Sequence, residues 1–137
     1  MTFNVEAFWV ELEFLRSLKH QNVVKLQEVQ LTDNGDIDLI LEIPYVFSMK
    51  NHLSNFDKFS EDLVLLYTYQ ILKGIKYMHE KGVIHRNLKC SNILMNGEGE
   101  IKISDGGAQR KLIDAINRRT VIDHVEDGPH YLPPEVL

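Results

Sequence analysis

The segment from residue 60 to residue 82 restricts the fold more than any other part of the chain. Ser60 has a side chain suited to capping a helix, and the two acidic residues after it favour the positive end of that helix. Gly82 suits the left-handed residue that ends a helix. The apolar residues at helical spacing are Leu63, Val64, Tyr67, Ile71, Gly74, Ile75 and Met78, with Leu65, Leu66 and Leu72 off that stripe. We therefore predict a long helix in the middle of a domain, packed on more than one side.

Upstream of this helix, the sequence predicts a shorter helix and a β-hairpin. Residues 4–19 place their apolar side chains within an arc of roughly 160° of a helix, and Glu11 lies inside that arc. A carboxylate there needs a cation or a donor, or lies at the wet edge of the stripe. Residues 23–29 and 37–41 predict two strands, joined by an Asp-Asn-Gly turn signal. Pro44 ends the second strand because proline has no N–H to donate.

The remaining predicted elements are short. Residues 49–53 can form one or two helical turns. Residues 93–95 and 101–103 predict a hairpin whose Asn-Gly-Glu-Gly turn supplies glycine where the backbone needs a positive φ. No periodicity persists over residues 106–134, and a connection of that length is typically functional or mobile.

Composition excludes several classes of protein. Hydrophobic residues make up 44% of the chain and charged residues 26%, which is typical of a globular domain rather than a disordered one. The net charge of −5 is mild, with no basic stripe interleaved with aromatic residues, so we expect no nucleic-acid binding. No apolar run is long enough to span a bilayer, so we expect no membrane partner. The single cysteine, Cys90, favours a reducing, cytoplasmic location.

Four segments then point to one family. Residues 85–92 read His-Arg-Asn-Leu-Lys-Cys-Ser-Asn, which resembles, with one substitution, the His-Arg-Asp-Leu-x-x-x-Asn catalytic loop of eukaryotic protein kinases. Residues 102–107 resemble the strand that leads into the Asp-Phe-Gly motif, and residues 131–135 resemble the Ala-Pro-Glu end of the activation segment. Residues 11–26 resemble the αC helix and the following strand. Lys89 resembles the Ser/Thr branch, and the resemblance covers essentially the whole chain.

The resemblance implies an α+β chain with a partial protein-kinase-like fold. Residues 1–41 would be a remnant of the N-lobe, containing the αC helix and two strands. Residues 42–48 would form the hinge. Residues 49–137 would form the first half of a mainly helical C-lobe, through the activation segment.

The resemblance also implies ATP and Mg²⁺ as cofactors. Asn92 and Asp105 match the two metal ligands, whose oxygen atoms suit a hard cation. Lys89 matches the lysine that faces the transferring phosphoryl group. The alternatives are that Asn92 and Asp105 cap turns, and that Lys89 is a solvated loop residue.

Nucleotide-binding positions follow from the same resemblance. Leu41 matches the gatekeeper, and Glu42 and Pro44 match the hinge that faces adenine. Glu11 matches the αC glutamate, whose lysine partner would precede this sequence. No glycine occurs before Gly35, so we find no glycine-rich loop over the phosphates.

Three departures from the family pattern weaken the implied chemistry. Asn87 stands at the position of the catalytic Asp, and an amide is a poor base. Gly106 replaces the Phe of the Asp-Phe-Gly motif. Pro44 lacks the hinge N–H that the family offers to adenine.

These features leave three functions open. The first is a pseudokinase-like module or truncated fragment without catalytic output, which depends on an unidentified protein partner. The second is a segment of a functional ATP-dependent Ser/Thr protein kinase. The third is a nucleotide- or metal-binding regulator that uses Asn92 and Asp105 without transfer.

Overall fold

The computed structural model describes residues 5–32, 37–42, 47–56, 58–104 and 131. Three α-helices, five strands and one 3₁₀ turn lie within these ranges. The helices are α1 (Val5–Ser17), α2 (Met49–Asn55) and α3 (Glu61–Glu80), and the 3₁₀ turn is Cys90–Asn92. The strands are β1 (Leu26–Leu31), β2 (Ile37–Leu41), β3 (Phe47–Ser48), β4 (Ile93–Met95) and β5 (Ile101–Ile103). The predicted α+β class is confirmed.

Helix α1 and the β1–β2 hairpin share the first of two hydrophobic clusters. The strands β1 and β2 are antiparallel, with an irregularity between Leu26 and Glu28. The buried members of the cluster are Leu12, Leu15, Leu18, Val23, Leu26, Met78 and Val83. Strand β1 begins three residues later than predicted, at Leu26, because Val24 bonds elsewhere: its N–H donates to the carbonyl of Ile103 at 2.9 Å. The segment before β1 therefore joins this hairpin to β5.

Helix α3 has the ends that the sequence predicts. The Ser60 Oγ accepts from the N–H of Leu63 at 3.4 Å, and Gly82 has a φ of 74°. Tyr67, Gly74 and Met78 are buried on its inner side. Of the apolar residues off that stripe, Leu65 and Leu72 are 73% and 59% exposed, so a second apolar side of the helix is uncovered.

A second cluster lies beneath the three-stranded sheet β3–β4–β5. Strand β4 pairs antiparallel with β5, as predicted, and Gly99 in their turn has a φ of 82°. Phe47–Ser48, in the predicted hinge range, pairs with β4 as strand β3. The buried members of the cluster are Met49, Tyr67, Ile93, Met95, Ile101 and Ile103. Helix α3 contributes to both clusters, which makes it the element that joins the two parts of the fold.

No helix within the described ranges is long and apolar enough to cross a membrane.

Candidate functional site

The catalytic-loop segment, residues 85–92, lies between the end of α3 and the start of β4. Val83 is buried in the first hydrophobic cluster, which anchors the chain just before the loop. The 3₁₀ turn Cys90–Asn92 then leads directly into Ile93, which is buried in the second cluster. Both ends of the loop are thus fixed by apolar packing, and its conformation is defined by the polar contacts between them.

His85 organises the first half of the loop. Its ring is buried, with Nε2 at 2.9 Å from the carbonyl oxygen of Ser104. Its Nδ1 lies 3.2 Å from the N–H of Asn87, which donates to it. A carbonyl only accepts and an amide N–H only donates, so these contacts require the neutral ring with its proton on Nε2. His85 therefore links the loop to the end of β5.

Arg86 gives the loop an unusual backbone geometry. Its φ is 65°, the one positive φ among the non-glycine residues of the described ranges. Such a conformation costs about 1–2 kcal/mol for a residue with a Cβ atom. The contacts of His85 and Asn92 with Asn87 hold the adjoining peptide units and offset this cost. Asn87 is therefore held in a constrained loop.

Asn92 closes the second half of the loop. Its side chain is buried, and its Nδ2 donates to the carbonyl of Asn87 at 2.7 Å. The carbonyl of Asn92 accepts from the N–H of Ser104 at 2.9 Å and from the Ser104 Oγ at 3.2 Å. The structure therefore brings Asn87 and Asn92 together and ties both to the residue that precedes Asp105. Asp105 itself, predicted as the second metal ligand, lies outside the described residues.

Lys89 lies in the same loop and is half-buried. Its backbone is extended, and its carbonyl accepts from the N–H of Asn92 at 2.8 Å. The structure thus places Lys89 between the two positions that the resemblance assigns to base and metal ligand. Its role towards a phosphoryl group stays a prediction.

The predicted nucleotide positions are only partly described. Leu41 is half-buried and packs against the first hydrophobic cluster. The Glu42 carboxylate accepts from the Lys102 ammonium at 2.6 Å and from the N–H of Lys25 at 3.0 Å. Glu11 belongs to α1, but its side chain is not described, and Pro44 lies outside the described residues. The Glu42 side chain is thus committed to protein contacts.

The family's use of ATP and Mg²⁺ can be compared with the residues that are described. The amide nitrogen of Asn92 is a donor to Asn87, so the amide oxygen is the atom of this group suited to a cation. Within the described residues, no three His, Cys, Asp or Glu side chains are clustered to hold a metal. An amide oxygen at Asn92 is chemically suited to Mg²⁺, but its role as a metal ligand stays a prediction, as does that of Asp105.

Sequence reasoning missed a polar network between α3 and the start of β5. The Nδ2 of Asn22 donates to the Gln70 Oε1 at 3.0 Å and to the Ile101 carbonyl at 2.9 Å. The same Gln70 oxygen accepts from the N–H of Ile101, and the Gln70 Nε2 donates to the carbonyl of Gly99 at 2.8 Å. The available signal was a glutamine at the edge of the apolar stripe of α3. This network fixes β5, which leads into the predicted metal-binding segment.

His20 forms a second contact between α3 and the segment before β1. Its Nδ1 accepts from the N–H of Asn22 at 2.9 Å, and its ring stacks on Tyr77 with centroids 4.8 Å apart. Burial, and then the positive charges of Lys73 and Lys102, hold the pKa of His20 below its usual value of 6.5. The fold therefore favours the neutral ring, whose Nδ1 can accept the hydrogen bond from the N–H of Asn22.

We expect His20 to make the stability of the chain depend on pH. A group whose pKa is lower when folded stabilises fully above its unfolded pKa of 6.5, and that contribution is lost as the pH falls through the lower, folded pKa. The urea midpoint of the parent should therefore fall between pH 7.5 and pH 5 by more than that of His20→Gln. The exposed His79 provides the matched control: the urea midpoint of His79→Gln should fall between pH 7.5 and pH 5 by about as much as that of the parent. An equal fall of the urea midpoint in the parent and in His20→Gln would contradict this expectation.

Comparison with known proteins agrees with this geometry. The family model described as "Protein kinase domain" matches residues 2–137. Cell division control protein 7 of Schizosaccharomyces pombe is 38% identical over 128 residues, which is 93% of this chain and 12% of the relative. Serine/threonine-protein kinase STE11 of Saccharomyces cerevisiae is 32% identical over 133 residues, which is 97% of this chain and 18% of the relative.

A further relative has a similar match. Mitogen-activated protein kinase kinase kinase A of Dictyostelium discoideum is 32% identical over 131 residues, which is 96% of this chain and 14% of the relative. The chain spans far less than two thirds of the length of each of these relatives. The match over residues 2–137, together with these relatives, shows that the chain belongs to the eukaryotic protein kinase family and is related to its serine/threonine kinases.

Proposed function

We propose that this chain is a pseudokinase-like module, which transfers no phosphoryl group by itself and acts by binding another protein. The observation that carries the proposal is Asn87, an amide at the position where the family's catalytic loop has an aspartate. The amide has no negative charge and does not take up a proton near neutral pH. General-base catalysis contributes about 10²- to 10⁴-fold to a rate, and this contribution is what the substitution removes.

The loop geometry supports the interpretation that the lack of phosphoryl transfer results from the chemistry of the Asn87 side chain and not from a collapsed loop. The N–H of Asn87 donates to His85 and its carbonyl accepts from Asn92, so the backbone at this position is held on both sides. Those contacts use backbone atoms of residue 87, and an aspartate could make them equally well. Within residues 85–92, the one departure from the family's motif is therefore the side chain of Asn87.

A phosphotransfer assay tests the proposal. The purified chain and its Asn87→Asp variant are incubated with Mg²⁺ and ATP labelled at the terminal phosphate, beside a protein-free blank and a generic Ser/Thr substrate. We expect no label above the blank for the parent. Transfer by the parent would overturn the proposal, whereas transfer by Asn87→Asp alone would locate the defect at this side chain. A parent and a variant that are both inert would show that other parts of the machinery are also deficient.

A second candidate is supported by Asn92. Its buried amide donates through Nδ2 to the carbonyl of Asn87, and the oxygen of an amide is the atom that can bind a cation. In this function the chain binds Mg²⁺-ATP as a regulator, with Asn92 and Asp105 as ligands, and transfers nothing. A rise in Tm with ATP that requires Mg²⁺ and is lost in Asn92→Ala would favour this function over nucleotide-independent binding.

The third function concerns the longer proteins that this chain matches. STE11 is named a serine/threonine-protein kinase, and the chain covers 18% of it, so an ATP-dependent Ser/Thr kinase that includes this segment is also proposed. For such a protein, Asn87 predicts weak turnover.

The partner and location are also proposals. The exposed Leu65, Tyr69 and Leu72 of α3 give a protein partner an apolar surface. Cys90 is a free thiol and agrees with a reducing, cytoplasmic location.

A further inference from the structure

The ion pair between Glu42 and Lys102 differs from the exposed ion pairs on α1 and α3. The Lys102 Nζ lies 2.6 Å from the Glu42 Oε1, and the two side chains are 13% and 23% exposed. By contrast, Lys76 and Glu80 are 3.8 Å apart and 77% and 61% exposed. Exposed pairs stabilise little, because water screens them. A short pair that is largely shielded from water has a stronger coupling between its charges.

The pair also lies where three segments of the chain meet. Glu42 follows β2, Lys102 is the middle residue of β5, and the same Glu42 oxygen accepts from the N–H of Lys25 just before β1. The Glu42 N–H in turn donates to the carbonyl of Lys25 at 2.9 Å. One carboxylate therefore connects both ends of the β1–β2 hairpin to the β4–β5 hairpin.

Backbone hydrogen bonds also join the segment before β1 to β5. The N–H of Val24 donates to the carbonyl of Ile103, and the N–H of Ile103 donates to the carbonyl of Asn22, both at 2.9 Å. We call these two bonds the seam. The seam has only two bonds, so the charged pair beside it is placed to hold the two hairpins together.

We propose that Glu42 and Lys102 form a joint that couples the two hairpins, with Glu42 as a positioning residue rather than a nucleotide contact. The chain after Glu42 is the predicted hinge, and the chain after β5 leads to the predicted metal ligand Asp105. The joint therefore sets the relative placement of the segments that lead to these two predicted binding regions. This inference rests on contacts in the fold and does not depend on whether the chain transfers phosphate.

A double-mutant cycle read by hydrogen exchange tests the joint. Glu42→Gln, Lys102→Met and the double variant are compared with the parent at the seam amides of Val24 and Ile103. Each single change removes one charge of a shielded pair and keeps the other, so we expect seam exchange to be faster by about tenfold or more. The double variant removes both charges, so its seam amides should exchange much more slowly than the product of the two single effects predicts.

Matched controls separate the joint from a general loss of stability. Glu80→Gln removes an exposed pair and should leave seam exchange within about twofold of the parent. Lys102→Arg keeps the charge, so it should stay closer to the parent than Lys102→Met does. The proposal would be overturned if the effects of the two single changes on seam exchange were additive. It would also be overturned if the seam amides exchanged as fast in Lys102→Arg as in Lys102→Met.

Folding failure would also be informative. If a single variant does not fold while the double variant does, the two charges are coupled and the proposal stands. If a single variant and the double variant both fail to fold while Glu80→Gln folds, the effect of one charge does not depend on the other, and the proposal falls.

Discussion

Replacing Asn22 with alanine is expected to lower the free energy of unfolding by about 3 kcal/mol, since each buried group that loses its hydrogen bond costs about 1–3 kcal/mol. Asn22 is 1% exposed, and its amide donates to the Gln70 Oε1 and to the Ile101 carbonyl. The change removes both bonds and leaves a small cavity between α3 and β5. The urea midpoint at constant m-value measures the loss.

Asn55 provides the control for this prediction. Its side chain is exposed, and its Nδ2 donates to the Asn51 carbonyl at 2.9 Å within α2. Asn55→Ala should change the stability by no more than about 0.5 kcal/mol, as is usual for surface positions. If Asn22→Ala costs no more than Asn55→Ala, the buried network does not hold α3 to β5 in the way described.

Gly74→Ala should also destabilise the chain, by about 2 kcal/mol, the middle of the range for overpacking a filled site. Helix propensity alone predicts the opposite, since alanine is better than glycine in a helix by about 1 kcal/mol. A Cβ atom at Gly74 would lie 2.8 Å from the Asn22 carbonyl oxygen and 2.8 Å from the Ile103 Cδ1. The Asn22 carbonyl is fixed by its bond from the N–H of Ile103, so α3 and the seam must move apart.

Gly97 is the matched control, because a Cβ atom there meets nothing within 4 Å. Gly97→Ala should therefore leave the urea midpoint close to that of the parent. A Gly74→Ala variant as stable as the parent would mean that the contact between α3 and the seam is looser than the structure shows. Comparing the two variants therefore separates the free-energy cost of close packing at Gly74 from the effect of adding a methyl group alone.

Local sequence signals predicted most elements of the fold. The Ser60 cap, the Gly82 end of α3 and the Gly99 turn depend on residues within a few positions of one another, and the structure has all three. The start of β1 was misplaced by three residues, because Val24 bonds to Ile103 rather than joining the ladder with β2. That choice depends on a strand almost eighty residues away, which periodicity does not report.

The candidate site, like the fold, was predicted in part from local sequence and was otherwise decided by tertiary contacts. The catalytic loop is contiguous, so its order of residues identified Asn87, Lys89 and Asn92 without any structure. Two of the contacts that hold it reach a residue outside the loop: the His85 ring and the Asn92 carbonyl both contact Ser104. The Glu42–Lys102 pair joins positions 60 residues apart and gave no signal in the sequence.

The sequence by itself determined the family, the order of helices and strands apart from β3, and the amide that stands in place of the catalytic carboxylate. Only the tertiary structure decided that the Glu42 side chain binds Lys102, that Asn22 and Gln70 join α3 to β5, and that Gly74 has no room for a methyl group. The physical reason is how far apart in the sequence the interacting residues lie. Caps, turns and loop motifs depend on neighbouring residues, whereas buried polar pairing and close packing depend on which distant segments the folded chain brings together.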